Sequence, residues 1–132
     1  MFKYLSSNPC HLSSVVLSLN IPITIYYNNN IFLLTEIPVG ITTILYHNDF
    51  RCVKNIRNID IFAAQLAFWQ HMYYAIIYQI AFSRNCYIIC PIIFLVSKYY
   101  QKNNDLFMSN FFHSFIHYFL TIGTIFLNVM ID

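Results

Sequence analysis

The run from Leu106 to Met130 contains no Asp, Glu, Lys or Arg. Coiled as a helix at about 1.5 Å per residue, it outspans the roughly 30 Å apolar layer of a bilayer, so a membrane-spanning helix is its expected home. One face of that helix is polar and reads His113, His117, Thr121, Thr124 and Asn128. A membrane helix turns such a stripe toward other helices or a water-filled cavity. His113 and His117 stand four residues apart and face the same way. Such a pair serves interhelical hydrogen bonding as readily as metal binding, so what else reaches the two imidazoles decides between these.

The rest of the chain has the same character. Of its 132 residues, 58% are hydrophobic and 9% charged, against about 25% charged in soluble domains. Such a chain cannot clothe a water-facing surface, and the expected class is an all-α, polytopic transmembrane helix bundle forming one integral membrane domain over residues 1–132. The net charge of +2 comes without a basic cluster, which speaks against nucleic acid as a partner. Cys10, Cys52, Cys86 and Cys90 read as small buried hydrophobes. Near the N-terminus, Lys3 precedes an apolar stretch that Asn20 and Pro22 interrupt and that lacks a small-x-small cleavage site. It reads as a first membrane helix and not as a cleaved signal.

Five apolar segments follow one another: about His11–Tyr27, Ile31–Tyr46, Ile61–Phe82, Cys86–Val96 and Leu106–Ile131. Asn28-Asn29-Asn30 and Ser83-Arg84-Asn85 are expected to be tight turns, and His47 to Asp60 and Ser97 to Asp105 longer connections. With the N-terminus inside and five crossings, Lys3, Arg51, Lys54, Arg57, Lys98 and Lys102 all fall on the cytoplasmic side, and only Arg84 falls outside.

That topology gives the histidines a common depth. The second helix carries Glu36, Gly40, Thr43 and His47 on one narrow arc and ends with His47 at the cytoplasmic side. The fifth helix brings His113 about 10 Å in from the same side, counting 1.5 Å per residue from Leu106. The second and fifth helices are therefore expected to be neighbours. Asp60 opens the third helix, where a carboxylate either caps the helix or reaches the imidazoles. His71, three turns deeper, is expected to be a hydrogen-bonded packing residue; Ala64 and Ala67 precede it on a stripe that allows close helix approach. Three imidazoles with an open fourth position are how a catalytic zinc is held, which makes His47, His113 and His117 the candidate ligands.

The segments Thr43-Ile-Leu-Tyr-His47, Arg57-Asn-Ile-Asp60 and His113-Ser-Phe-Ile-His117 together resemble the CREST superfamily, which contains alkaline ceramidases and the progestin and adipoQ receptors. The family pattern is Ser-x-x-x-His late in the second helix, Asp opening the third, and His-x-x-x-His in the last. The resemblance implies zinc on His47, His113 and His117, Asp60 as the acid/base or water-orienting group, and Thr43 at the Ser position. It covers about a third of the chain, replaces Ser by Thr, and sits on five helices where the family has seven, so the chain would be a shortened member or a fragment.

The activity implied by the resemblance is zinc-dependent hydrolysis of a lipid amide or ester, with Asp60 moving the proton and Thr43 hydrogen-bonding the water or the developing oxyanion. Membrane lipid is then the substrate, and a second copy of the chain is a partner that could close a cavity left open by short segments. The alternative is a small non-enzymatic membrane protein whose polar stripes pack helices or bind a partner. A third reading pairs His71 with His113 or His117 as haem ligands.

Overall fold

The computed structural model describes residues 9–47 and 54–131, and among them every regular element is helical, with no strand. The first apolar segment forms α1, Pro9–Ser18, and α2, Asn20–Tyr26. The break at Leu19 has a local cause. Pro22 has no N–H to offer the carbonyl of Ser18, so the ladder fails there, and Leu19 N–H bonds back to Val16 O at 3.1 Å instead. A 3-10 turn, Asn30–Phe32, leads into α3, Leu33–His47. Three longer helices follow: α4, Lys54–Ile77; α5, Ala81–Lys102; and α6, Leu106–Ile131.

The three short connections end their helices alike. Asn28, Gln79 and Asn104 take left-handed backbone, with φ of 55°, 57° and 60°. The next residue's N–H reaches back five positions, Asn29 to Thr24 O, Ile80 to Ala75 O and Asp105 to Tyr100 O, at 2.9–3.2 Å. This is the Schellman closure, which satisfies carbonyls that a helix end would otherwise leave bare. Two sequence expectations are corrected here. Ser83-Arg84-Asn85 is not a turn but the opening of α5; Gln79 makes the turn, and the Ser83 hydroxyl is spent on the Gly123 carbonyl at 2.8 Å. Asp60 does not open its helix, because α4 begins at Lys54 and Asp60 lies well inside it.

The helices form a ring. α5 and α6 pack along their length as an antiparallel pair; α6 also packs on α1, α1 on α3, α3 on α4, and α4 more lightly on α5. α3 and α6 are not packed directly, contrary to the expected adjacency; α1 touches both, and they face each other across the ring. Two glycines set close approaches. A Cβ on Gly40 would come 3.0 Å from Ile21 Cδ1, and one on Gly123 would come 2.9 Å from the Tyr87 ring.

Large apolar side chains point outward, including Phe62, Leu66, Trp69, Tyr73 and Ile76 down one side of α4, while Ser13, Thr24, Glu36, Thr43, His71, His117, Thr121 and Asn128 are buried. Alanines at Ala63, Ala67 and Ala75 flank His71 on the packed face of α4, one register off the Ala64 of the expected stripe. Among the described residues, α5 and α6 are long and apolar enough to cross a membrane. The expected five crossings reduce to these two on that criterion. α1, α2 and α3 are too short, with 10, 7 and 15 residues, against about 20 for a span; α4 is long enough but carries Lys54, Arg57, Asp60, Gln65, Gln70 and His71.

Candidate metal centre

His47 ends α3, and His113 and His117 lie one turn apart near the start of α6. Their rings converge across the gap between the two helices. Ring centroids are 5.5 Å apart for His47 and His113, 5.3 Å for His47 and His117, and 5.1 Å for His113 and His117. One nitrogen from each ring lies within 4.8 Å of the others. Bonds of about 2.0–2.1 Å to a tetrahedral ion put ligand nitrogens roughly 3.3 Å apart. His47 and His117 are buried and His113 is half-buried, so the group is open on one side. Histidine-only donors suit zinc and also copper, iron or nickel, so the donor set admits a transition metal without selecting one.

The helix that sequence reading left out holds the imidazoles in place. Ser13 of α1 places its Oγ 2.8 Å from His117 Nδ1 and 3.1 Å from the carbonyl of Cys10. A hydroxyl has one proton, and a carbonyl can only accept. Ser13 therefore donates to Cys10 O and accepts from His117 Nδ1–H, which leaves the lone pair of the neutral ring on Nε2. A ligating histidine is commonly held this way through its other nitrogen. Two residues earlier, His11 Nδ1 donates to the carbonyl of His47 at 3.2 Å and ties the end of α3 to α1. The signal for α1 and α2 was in the sequence: Cys10, Ser13, Ser14 and Leu17 of α1 and Asn20 and Thr24 of α2 are buried, mostly at spacings of three and four, a stripe of the kind seen on α3 and α6.

Asp60 approaches from α4. Its Oδ1 accepts hydrogen bonds from Thr43 Oγ1 at 2.7 Å and from Thr42 Oγ1 at 3.0 Å. The carboxylate thus reaches α3 and does not cap its own helix. Thr43 spends its only proton on Asp60, so in this arrangement its hydroxyl positions the carboxylate and can only accept from a water. Asp60 precedes the apolar stretch that starts at Ile61; burial raises its carboxyl above the usual carboxylate range, while the Thr43 and Thr42 hydroxyls pull it back down.

Asp60, Thr43, His113 and His117 line one cavity of about 490 Å³ whose other walls are largely apolar, among them Leu17, Val39, Phe68, Phe94 and Leu120. His71 belongs to a separate cluster. Its Nε2 is 3.2 Å from Glu36 Oε1, and its ring sits between Phe32 and Tyr87. Cys10, Cys86 and Cys90 are buried thiols outside the histidine group, and Cys52 lies outside the described residues. No family model, curated protein or solved structure matches the chain.

Proposed function

We propose that the chain is a multi-pass membrane protein, with its N-terminus inside, that hydrolyses an amide or ester of a membrane lipid at a zinc ion held by His47, His113 and His117. The observation that carries the reading is the convergence of three imidazoles, two of which, His113 and His117, line an apolar cavity together with the hydroxyl-positioned carboxylate of Asp60. A membrane setting is supported by the inverted polarity of the bundle, with large apolar side chains outside and polar ones within. The resemblance to the CREST superfamily rests on these same residues, and the chain is read as a shortened relative of it.

A bound zinc supplies a Lewis acid that polarises a carbonyl and makes water more acidic. The protein's own groups do the rest. The cavity receives the acyl chain and excludes bulk water from it. Asp60, fixed through Oδ1 by Thr43 and Thr42, keeps Oδ2 for the attacking water, takes its proton and returns it to the leaving nitrogen or oxygen. Thr43 holds Asp60 in register with His47, one turn along α3.

The competing reading, a non-enzymatic membrane protein, is favoured by the number of polar side chains spent on packing, such as Ser97 on the Ser109 carbonyl at 2.9 Å and Tyr87 on Thr124 at 3.3 Å. Metal analysis of the detergent-purified protein, wild type against His113→Ala, together with hydrolysis of a long-chain lipid amide, separates the two. Stoichiometric metal and turnover, both lost in His113→Ala, are expected; a metal-free, inactive but folded wild type would sink the hydrolase.

A further inference from the structure

A second polar cluster opens on the same cavity, about 10 Å along α3 from Thr43 at 1.5 Å per residue. Its hydrogen bonds run in one direction. Asn29 Nδ2 donates to Asn128 Oδ1 at 3.1 Å, Asn128 Nδ2 to Thr24 Oγ1 at 3.0 Å, and Thr24 Oγ1 to Glu36 Oε1 at 2.9 Å. His71 Nε2 adds a second contact to the same oxygen at 3.2 Å. The relay ends on Oε1, and both contacts to the carboxylate fall on that oxygen. The other carboxylate oxygen, Glu36 Oε2, is buried and accepts nothing among the described residues, and neither does the buried Oδ1 of Asn20, one turn before Thr24. Both residues line the cavity, and they are only 5% and 4% exposed.

A bare buried acceptor costs about 1–3 kcal/mol, more when charged, so two on one cavity wall mark a place for donors brought from outside. The chemistry of the group follows from the two atoms. A hydroxyl has one proton and satisfies one of them. A primary ammonium has three N–H donors and a positive charge for the carboxylate. A quaternary ammonium has the charge but no donor.

We propose that Glu36 and Asn20 form a receptor site for the primary ammonium of a long-chain amine, whose alkyl chain lies in the apolar part of the cavity toward the histidines. This goes beyond the hydrolase reading and stands without it, since none of its atoms belongs to the metal group.

The test uses the full chain in a nonionic detergent at neutral pH, with dodecylamine, dodecanol and dodecyltrimethylammonium as probes and binding read by native mass spectrometry. Dodecylamine is expected to bind one per chain and at least about tenfold more tightly than either control, the weight of one charge-assisted hydrogen bond. Glu36→Gln is expected to abolish that preference. Should Glu36→Gln fail to fold, Asn20→Leu carries the test, because it leaves the Thr24 and His71 contacts to Glu36 in place; severalfold weaker amine binding is expected. His113→Ala is expected to keep the preference, so loss of the metal and loss of the amine site are told apart. Equal binding of the amine and the trimethylammonium, a preference that survives Glu36→Gln, or amine binding unchanged in Asn20→Leu, would overturn the proposal.

Discussion

Ser13 and His117 stand 104 residues apart in the chain and 2.8 Å apart in space, Oγ to Nδ1. The contact joins the first helix to the last and fixes which nitrogen of His117 faces the other two imidazoles. Removing the hydroxyl leaves the ring in place but frees it to rotate and to change tautomer. Ser13→Ala is therefore expected to weaken metal affinity by about 10–100-fold, the usual cost of losing such a support, with little change in thermal stability. Competition with a chromogenic chelator measures it; unchanged affinity would remove Ser13 from the centre.

The two buried histidine clusters should separate cleanly on substitution. His113→Ala is expected to leave substoichiometric metal after dialysis, whereas His71→Gln, altering the Glu36 cluster alone, should retain the wild-type content. Elemental analysis of both folded variants makes the comparison. Equal loss in the two would mean that the metal, if present, sits elsewhere.

Asp60 and Thr43 divide one task. Asp60→Asn keeps an oxygen for both threonine hydroxyls but loses the base, so turnover of a lipid amide should fall by roughly 10²–10⁴-fold, the worth of general acid–base catalysis, while metal content persists. Thr43→Val should lower kcat with KM little changed, and Thr43→Ser should restore it. Wild-type turnover in Asp60→Asn would exclude the carboxylate from the chemistry.

Gly123 is a packing position with no slack. A Cβ there would lie 2.9 Å from the Tyr87 ring and 3.1 Å from Cys86 Cβ, and neither neighbour can swing aside: Tyr87 is fully buried and Cys86 Cβ is fixed to the α5 backbone. Gly123→Ala is expected to destabilise the bundle by about 1–3 kcal/mol, as overpacking does. Thermal unfolding in detergent would reveal it.

Reporter fusions at Asn29 and Asn104 test the proposed topology. If α3, α4 and α5 each cross, as the N-inside, five-crossing arrangement read from the sequence requires, Asn29 is expected outside and Asn104 inside. Reporters on the same side would break that arrangement.

What could be read from the sequence divides by the range of the interaction. His113 and His117 share a helix face, so helical periodicity alone pairs them. His47 needed the topology, which put it at the right depth but made α3 and α6 neighbours; the side chains meet while the backbones stay apart, a distinction that a depth argument does not contain. The polar stretch Lys54–Ile59 read as loop because it has no apolar stripe, yet it is helical, and that misplaced Asp60 at a helix start. Ser83-Arg84-Asn85 has turn-like composition, but turn geometry is decided by which residue takes positive φ, and Gln79 carries no such signature. Asn28 and Asn104 do, since asparagine tolerates left-handed backbone. Ser13 was out of reach because its role depends on a partner at the far end of the chain.

The bond between Ser13 and His117 also dates the histidine centre within the life of each molecule. α5 and α6 are adjacent in sequence and can zip together as they emerge, but α1 must wait through the synthesis of every helix between before α6 arrives to meet it. Until then the two α6 imidazoles of the group are missing, and the hydroxyl of Ser13 lacks the His117 ring. A nascent chain stalled before α6 thus has only one of the three imidazoles of the group. On the proposed reading, loading of an ion would be a late event in biogenesis, one that reports on completed assembly.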